Sequence, residues 1–589
     1  MEIVLVLLIL TAAIVLFATE WLRMDLVALL VLLALAITGL VTTEQAFAGF
    51  SNPAVVTVAA MFVLSAGISH TGAMGHIGER MVAFAGNSES RLLLISMLVA
   101  SLFSAFINNI GATAVLMPVL MSVARRLRIS ASQLLMPLAF ASLLGGVCTL
   151  IGTPPNILMN TLLYEYTGES FSMFSYTPVG LVIVATGIGY MLLLGRRLIP
   201  ERKSGALTEA YQVKEYITEV AVLEGSPLAG KTIAKCAFEQ NFGLKVRAIL
   251  RERHKIPMPR RNRVIREKDT LFLEGDPAGI LKIRAVKGLE VLPEKDNPVD
   301  KLADESMVVV EASLTPTSTM AGKTLRSVRF RDIFGISVLA IWRQGAPVVK
   351  KVDHVVLRFG DVLLLQGSEE RIIQLGRDQG FLLLGGVPAV DYRPRQAPLA
   401  VTILLLVIGS SALGLIPIFL SAPLGAVAMI LTRCLSLKDA YDNIDWPILM
   451  LIAGTLPLGL ALENSGAALM IAKWLTSVVG DFGPWMVLAM VVLITALLTE
   501  FMSHAAAAVL VAPIAYELAQ SMAVSPKPFF MAVALSASSC FMTPISHQSN
   551  ALVMGPGGYH FFDYTRVGAP LGLLVWCVII LLVPVIFPF

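Results

Sequence analysis

Apolar runs of roughly twenty residues follow one another near both ends of the chain, and each has the length of a transmembrane helix. In the N-terminal part these runs predict crossings at residues 2–19, 24–40, 53–70, 133–162 and 177–195. In the C-terminal part they predict crossings at residues 397–413, 417–432, 446–462, 528–552 and 567–587. Residues 200–396 are rich in charge and contain no such run. The pattern predicts an all-α polytopic membrane protein with a soluble insert.

Two further pairs of apolar arms lie between the third and fourth crossing of each part. The arms are residues 91–107, 111–127, 485–502 and 505–521. Only Asn108-Asn109 separates the first pair, and only Ser503-His504 separates the second. An unpaired polar group in a bilayer costs several kcal/mol, so such a tip is stable only where it lines a cavity or is buried in protein. Each pair is therefore predicted to be a helix–tip–helix hairpin.

The two apolar parts match each other at a nearly constant offset. The matched pairs include Pro53 with Pro447, Thr149 with Thr543, and Asn156 with Asn550, which are all 394 residues apart. Because a hairpin adds an even number of passes, each part crosses an odd number of times. Residues 1–197 and 397–589 are therefore predicted to be two inverted repeats of five helices and one hairpin each, an architecture common among secondary transporters.

Loop charges predict the orientation of the chain, since cytoplasmic loops carry an excess of Lys and Arg. With both termini outside the cell, the outer loops hold only Lys473 and Lys527. The inner loops then hold Arg23, Arg80, Arg125, Arg126, Arg128, Arg196, Arg197, Arg433, Lys438 and Arg566. This predicts a multi-pass plasma-membrane (inner-membrane) protein with a cytoplasmic insert at 200–396. The first hairpin then enters from the cytoplasm and the second from outside.

Composition agrees with this class and excludes others. Of the 589 residues, 56% are hydrophobic and 15% are charged, against about 25% charged in soluble domains. The formal charge of +4 is too small to indicate nucleic-acid binding, and five scattered cysteines give no disulfide framework. We expect a membrane protein that binds no nucleic acid.

The insert is itself duplicated at an offset of 92 residues, since AGKT at 229–232 recurs at 321–324. Each copy has short β-branched strands with one helix, which predicts an α+β pair at residues 215–292 and 305–385. The two copies resemble the TrkA-C (RCK C-terminal) domain. That resemblance implies a regulatory pair that is often dimeric and binds a small cytosolic ligand.

GSPLAGKT at 225–232 also fits the phosphate-binding pattern G-x-x-x-x-G-K-[ST]. The second copy has Thr317 in place of the first glycine, and each unit is too short for the parallel sheet of a nucleotide hydrolase. We interpret the motif as a strand–turn–helix and predict that the chain is not an enzyme.

The hairpin tips and two later helix breaks carry the candidate chemistry. The breaks lie in GGVCTLIGTPPN (145–156) and MTPISHQSN (542–550), where a proline ends the hydrogen-bond ladder and frees carbonyl groups. A helix N-terminus suits an anion, while free carbonyls and Ser or Asn oxygens suit Na⁺. The four features together predict one site for an anion and a coupling cation.

At these residues the chain resembles the divalent anion/sodium symporter family of the ion transporter superfamily, in its bacterial branch with two inserted TrkA-C domains. The paired hairpins followed by GTPPN and TPI…QSN carry the resemblance over nearly the whole membrane part. It implies an elevator-type homodimer that takes up an anion with Na⁺ and holds no tightly bound cofactor. The implied substrate-binding residues are Asn108, Asn109, Ser503, His504, Ala505, Thr153, Pro154, Thr543 and Pro544, and the implied sodium ligands are Asn108, Asn109, Gly152 and Ser503.

Both tips depart from the family's Ser-Asn-Thr. The first reads Asn108, Asn109 and Ile110, and the second Ser503, His504 and Ala505. The hydroxyl is lost at both third positions, which leaves fewer donors for a dicarboxylate and favours sulfate. Imidazole is a poor ligand for a hard cation but can carry a proton, so His504 is predicted to couple transport to H⁺.

Several alternatives stay open at this stage. The same fold also serves dicarboxylate symporters, anion exporters and cation/proton antiporters. An RCK-gated ion channel is the rival from another class, although no TVGYG-like filter is present. His70, His76, His547 and His560 are interpreted as loop or packing residues, and Glu500 as a scaffold residue.

Overall fold

The structure is a computed structural model. It describes the whole chain except residues 1, 20, 73–83, 85–87, 128, 202–215, 224, 237, 239–243, 252–253, 258–262, 276–287, 292–306, 316–317, 344–345, 349–351, 377, 379, 385–393 and 480–482. The predicted insert boundaries at 215, 292, 305 and 385 therefore lie outside the described residues, as do Arg80, Arg128 and His76.

The N-terminal part is helical throughout its described length. Its helices are α1 Glu2–Thr19, α2 Met24–Ile37, α3 Thr43–Ala48, α4 Pro53–His70, α5 Glu89–Ser104, α6 Asn109–Leu127, α7 Ser132–Gly146, α8 Pro154–Thr167, α9 Thr177–Tyr190 and α10 Arg196–Leu198. A π-helical turn at Met191–Gly195 joins the last two. The arms predicted at 91–107 and 111–127 correspond to α5 and α6, which meet at the Asn108-Asn109 tip.

The C-terminal part also consists of long helices separated by short breaks. Its helices are α14 Ala397–Ala412, α15 Ile418–Leu431, α16 Leu437–Asp442, α17 Trp446–Asn464, α18 Ala467–Val479, α19 Pro484–Thr499, α20 His504–Ser521, α21 Lys527–Ala537, α22 Gln548–Gly557 and α23 Phe561–Ile586. The second hairpin is α19 and α20, which meet at Ser503. The breaks predicted in the two fourth spans separate α7 from α8 and α21 from α22.

Local chemistry explains where several of these helices begin. Asn52 accepts a hydrogen bond from the Ala54 N–H, and Pro53 follows as the first residue of α4. Proline is favoured at this position because its missing N–H would have had no partner inside the helix. The same residue type opens α8, where Pro154 follows the extended Thr153. Sequence-encoded caps therefore fix the helix starts that surround the site.

Four described helical stretches are long and apolar enough to cross a membrane by length and composition. They are Thr43–His70, Thr177–Leu198, Trp446–Asn464 and Phe561–Ile586. Many of the remaining helices are apolar but shorter, such as Asn109–Ala124 and Pro484–Thr499. Two of the hairpin arms, α6 and α19, belong to this shorter group.

The insert holds two five-stranded sheets. The first has the order β3-β2-β4-β1-β5 and the second β10-β6-β9-β7-β8. The strands are β1 Tyr216–Val222, β2 Leu244–Arg251, β3 His254–Pro257, β4 Thr270–Gly275, β5 Leu289–Val291, β6 Met307–Leu314, β7 Ser337–Arg343, β8 Ala346–Pro347, β9 Val362–Ser368 and β10 Phe381–Leu383. Among the described residues of the insert, the helices are α11 Ile233–Cys236, α12 Phe330–Phe334 and α13 Glu369–Gly376. Counted from the edge strand β5, the first sheet has the order β5-β1-β4-β2-β3. This order corresponds strand for strand to that of the second sheet.

Each sheet contains an Arg–Asp ion pair, and the corresponding residues of the two pairs are 92 positions apart in the sequence. Arg251 donates to both carboxylate oxygens of Asp269 at 2.8 and 2.7 Å. Arg343 donates to both oxygens of Asp361 at 2.7 Å. Asp269 and Asp361 are both buried. The hydrogen bond to Asp361 raises the pKa of the Arg343 guanidinium. Bidentate pairing of a buried carboxylate holds the adjacent turn in one geometry.

The chain divides into two compact units. One contains Met1–Ser204, Val310–Leu365 and Glu370–Phe589, and the other contains Gly205–Val309 and Gln366–Glu369. Most of the second sheet therefore belongs to the same unit as the helices. The core of the other unit is apolar and includes Val220, Ile249 and Leu271.

Candidate functional site

A cavity of about 620 Å³ lies where the two hairpin tips and the two breaks meet. Its walls include Asn108 and Asn109 from the first tip, and Ser503 and His504 from the second. The breaks contribute Gly152, Pro154, Ser546, His547 and Gln548. The elements that the sequence separates by almost four hundred residues therefore line one space.

Among the described helices that begin at this cavity, four start at the two tips and the two breaks. Wall residues are found in the first turns of α6 at Asn109, α8 at Pro154, α20 at His504 and α22 at Gln548. The first N–H groups of a helix have no partner inside that helix, and the helix dipole adds a positive partial charge there. Each of these four helices has at least ten residues. The arrangement presents positive potential to an anion.

Asn109 is held from three sides. The Ser104 hydroxyl donates to its Oδ1 at 2.5 Å, and its Nδ2 lies 3.4 Å from His547 Nε2. A Cβ added to Gly146 would approach Asn109 Oδ1 to 2.4 Å, so only glycine leaves room for the amide. Asn109 is itself 3% exposed. The first tip therefore presents a fixed amide to the cavity.

The protonation of His547 follows from its contacts. Its Nδ1 accepts the Ser549 N–H at 3.0 Å at the start of α22, so the proton of the neutral ring is on Nε2. Nε2 then faces Asn109. With the oxygen and nitrogen of that amide exchanged, Nε2–H donates to Oδ1, and the Ser104 hydroxyl accepts from Nδ2 instead of donating to Oδ1. A second proton on Nδ1 would oppose the Ser549 N–H. His547 is thus a neutral bridge between the second break and the first tip.

His504 stacks on this bridge. Its ring lies 5.1 Å from the His547 ring, centroid to centroid, with 27° between the planes. His504 is the first residue of α20, with Ser503 at the N-cap position. Both hairpins are therefore connected through the two imidazoles, one fixed and one facing the cavity.

Glu500 organises the second break from behind the cavity. Its Oε1 accepts the N–H groups of Phe541 and Met542, and its Oε2 accepts that of Thr543, each at 3.0 Å. The carboxylate is buried and satisfied by these backbone donors. This geometry agrees with the scaffold role predicted for Glu500.

Three hydrogen bonds occur at both breaks. The corresponding residues of the two breaks are 394 or 395 positions apart in the sequence, or nearly so. Thr149 donates to the Ala105 carbonyl, as Thr543 does to that of Glu500. Asn156 donates to the Thr149 carbonyl, as Asn550 does to that of Thr543. The hydroxyls of Tyr176 and Tyr564 donate to the Asn156 and Asn550 carbonyls, respectively. The two breaks are therefore built by the same contacts.

The structure does not bring every predicted site residue to the cavity. Asn108, Asn109, Gly152, Pro154, Ser503 and His504 line it. Of the other predicted residues, Ala505, Thr153, Thr543 and Pro544 are buried behind the described wall. The Thr153 hydroxyl is 2.9 Å from that of Ser538, and Thr543 is bonded to Glu500. These hydroxyls therefore stabilise the breaks, and the cavity wall itself is formed by the neighbouring residues.

Sequence reasoning also missed residues of the site. His547 was assigned to packing, and it is buried, but it also contacts Asn109 and His504. Its position directly before a helix start was the available signal. The ion-paired Arg23 and Asp25, 3.0 Å apart, line the cavity as well. So do Ser318, Thr319 and Phe359 of the insert, which no sequence pattern indicated.

Comparison with known proteins agrees with this geometry. The model of the citrate transporter family (CitMHS) matches residues 14–534. An uncharacterized transporter of Synechocystis sp. is 36% identical over 100% of this chain and 97% of its own length. Sodium/sulfate cotransporter 2 of Chlamydomonas reinhardtii is 24% identical over 96% of this chain and 87% of its own length. The predicted similarity to anion/sodium symporters is confirmed.

Several solved structures are similar to part of the chain. The RCK domain of GsuK covers 27% of this chain and 63% of its own, with 16% identity and a TM-score of 0.14. A score this low carries no argument about the insert, whose similarity to TrkA-C domains depends on its duplicated motifs.

Proposed function

The chain belongs to the citrate transporter family, and on that premise we propose that it is a cation-coupled secondary active transporter that takes up a small divalent anion, with sulfate as the first candidate. Membership of a transporter family makes the chain a membrane transporter and confirms that it is not an enzyme. The substrate and the coupling ions are the proposal.

One observation carries the choice of a divalent anion. Four helix N-termini converge on one cavity, and each contributes roughly half a positive charge. Their sum is roughly +2, which is equal and opposite to the charge of a dianion. The helices α2 and α17 also begin at this wall, but the charges of Arg23, Asp25 and Asp445 offset their N-termini, so this part adds little net charge. A monovalent anion would leave about half of this potential unbalanced.

Sulfate is the first candidate because its four oxygens accept hydrogen bonds in all directions, as four converging helix ends require. The sodium/sulfate cotransporters among the relatives support the same choice. A di- or tricarboxylate is the second candidate, favoured by the name of the matching family and by a cavity of about 620 Å³. Competition between the two substrates distinguishes these candidates.

Two coupling ions fit different parts of the wall. Sodium is proposed at the first tip, with oxygen ligands from Asn108, Asn109 and Ser503 and the backbone of Gly152. A proton is proposed at His504. The relatives named as sodium cotransporters support the first assignment, and the replacement of a neutral amide by imidazole supports the second.

The architecture that we propose around this site is an inverted repeat. The hydrogen bonds shared by the two breaks support it. We propose that each repeat carries one hairpin, that both termini lie outside the cell, and that the insert is a cytoplasmic TrkA-C pair. An elevator-type homodimer completes the proposal.

The test is uptake of radiolabelled sulfate into proteoliposomes that contain the purified full-length chain. Na⁺ and pH gradients are imposed separately and then together. We expect accumulation with either inward gradient, faster accumulation with both, and inhibition by unlabelled sulfate. Accumulation of labelled citrate with no sulfate uptake would replace the substrate, and equilibration of sulfate without any cation gradient would refute coupled transport.

A further inference from the structure

The second half of the insert forms part of the cavity wall. Ser318, Thr319 and Phe359 line the same space as Asn108 and His504. These residues belong to the same compact unit as the helices. The wall also includes Arg23, whose side chain is 71% exposed, and Phe359 is itself exposed, so the cavity reaches solvent at these residues.

A rigid turn brings the insert to this place. In the turn at 358–361, the Asp361 N–H donates to the Arg358 carbonyl at 3.1 Å, and the Arg358 N–H donates to the Asp361 carboxylate at 2.8 Å. Arg343 holds the same carboxylate through two hydrogen bonds. Gly360 has a φ of +77°, which glycine adopts without strain. The turn therefore has one fixed shape.

The turn packs against helix α22 at van der Waals distance. A Cβ added to Gly555 would lie 1.7 Å from the Gly360 carbonyl oxygen and 2.7 Å from its carbon. Only a glycine at position 555 allows the two backbones to approach so closely. Gly555 lies seven residues beyond Gln548, roughly 10 Å along the helix that His547 caps. The turn thus contacts the far end of an element whose near end forms the site.

The first half of the insert has the same turn with different chemistry. Its Asp269 N–H donates to the Arg266 carbonyl at 3.3 Å, and the Arg266 N–H donates to the Asp269 carboxylate at 2.8 Å. At the two middle positions it has Glu267 and Lys268 where the second turn has Phe359 and Gly360. Lys268 is exposed at a φ of +68°, whereas Gly360 is buried. Equal turns with unequal tips indicate that only the second tip is adapted to a contact.

We propose that the Phe359-Gly360 turn is a brake on the transporter: docked on α22, it narrows the solvent end of the cavity and holds the site-bearing helix to the insert. A movement of α22 relative to the insert requires the Gly360 and Gly555 backbones to separate. A cytosolic ligand that changes the insert would then act on transport through this contact. The effect on uptake rests on the proposed function, but the contact itself does not.

Two variants undock the turn by different means. Gly555→Ala places a methyl group where the Gly360 carbonyl lies and leaves the turn itself unchanged. Gly360→Lys gives the second turn the lysine that the first turn holds at a similar φ, and the long side chain would extend from a Cβ only 3.7 Å from the Gly555 nitrogen. Gly409→Ala in α14 is the matched control, because nothing lies within 4 Å of the added Cβ.

Docking is measured without any substrate. Ala551 lines the cavity beneath the turn and is 6% exposed, so Ala551→Cys reports on access from the insert side. Cys577→Ser removes the exposed native cysteine. We expect labelling by a charged maleimide to accelerate about ten-fold or more with either undocking variant, since overpacking of this severity shifts a two-state equilibrium by at least that factor. Gly409→Ala should leave the rate unchanged.

The same variants with native Ala551 and Cys577 then test the brake through sulfate uptake. We expect a higher maximal rate with an unchanged preference among anions. Unchanged labelling in both variants would overturn the docking, and accelerated labelling with unchanged or reduced uptake would overturn the brake. Absence of sulfate uptake in the native chain would contradict the proposed function instead, because the labelling result stands without it.

Discussion

At the scale of single residues, the two stacked imidazoles have different roles. His547 is bound on both ring nitrogens, by Ser549 and Asn109, and its Nδ1 has no room for a second proton. His504 also lines the cavity, and its ring makes no hydrogen bond to another described residue. A proton that enters with the anion therefore belongs to His504, where its charge would balance part of the charge of the substrate.

We predict that sulfate uptake rises on acidification through about pH 7.5 to 6, the range in which free imidazole gains a proton. In His504→Asn the acid stimulation should weaken and the dependence on Na⁺ should increase, because the amide supplies an oxygen in place of the titrating ring. Initial uptake rates over this pH range at fixed Na⁺ measure both effects.

His354→Asn is the control for that prediction, since His354 is an exposed histidine of the insert. Its pH profile should match that of the native chain. An acid stimulation that persists in His504→Asn would assign the proton to another group and leave His504 a packing role.

The polar tips give a second prediction at this scale. Asn109→Ala removes the amide that Ser104 and His547 hold, and Ser503→Ala removes a hydroxyl at the start of α20. We expect both variants to lose nearly all uptake and to insert into the membrane normally, because the apolar arms are unchanged. Uptake and membrane yield are measured together.

Asn464→Ala and Ser477→Ala serve as the matching controls, because both residues lie outside the described cavity wall. They should keep uptake near the native rate. Substantial uptake in both tip variants would refute the assignment of the tips to the binding site.

At the scale of elements, the site depends on the two breaks, which keep the helix ends that line the cavity apart. The second break is held open by Glu500, which accepts three consecutive backbone N–H groups. The corresponding residue of the first part is Ala105, whose carbonyl accepts the Thr149 hydroxyl. One break is thus organised by a carboxylate, and its counterpart is organised without one.

We predict that Glu500→Gln destabilises the protein by about 1–3 kcal/mol, the cost of leaving a buried donor unsatisfied. The glutamine NH₂ group would face a backbone N–H group, so at least one hydrogen bond is lost and two donors are opposed. The unfolding midpoint in detergent measures this loss. Glu463→Gln at an exposed position should shift it little, and an equal shift in the two variants would contradict the role of Glu500.

At the scale of the whole molecule, the orientation of the insert and its effect on transport can be tested together. We predict that a cysteine at the exposed Ser327, in the Cys577→Ser background, reacts with an impermeant maleimide only from the cytoplasmic side. Labelling from outside would reverse the topology.

We also predict that replacing residues 205–390 by a flexible linker preserves the choice of anion and changes the maximal rate. A changed order of anion preference would make the insert part of the selectivity site.

Much of this organisation is present in the sequence because it is local. The arm predicted at 505–521 is α20 at His504–Ser521, since an apolar run bounded by polar residues fixes both ends. The positions of Asn108, Ser503 and the two breaks follow from the same local signals. His547 and Phe359 were missed because their roles depend on contacts with residues hundreds of positions away. No periodicity in a single sequence records such contacts.

The glycines behind Asn109 limit how this transporter can evolve. A Cβ on Gly145 would lie 2.1 Å from the Ser101 carbonyl oxygen, and one on Gly152 would lie 2.2 Å from that of Gly146. A Cβ on Gly146 would likewise clash with the Asn109 side chain itself. Since none of the three accepts even a methyl group, selection for a new anion cannot act through them. It must act on residues that face the cavity with room to change, such as Ile110 and Met502, so related chains with different substrates should differ there and keep the three glycines.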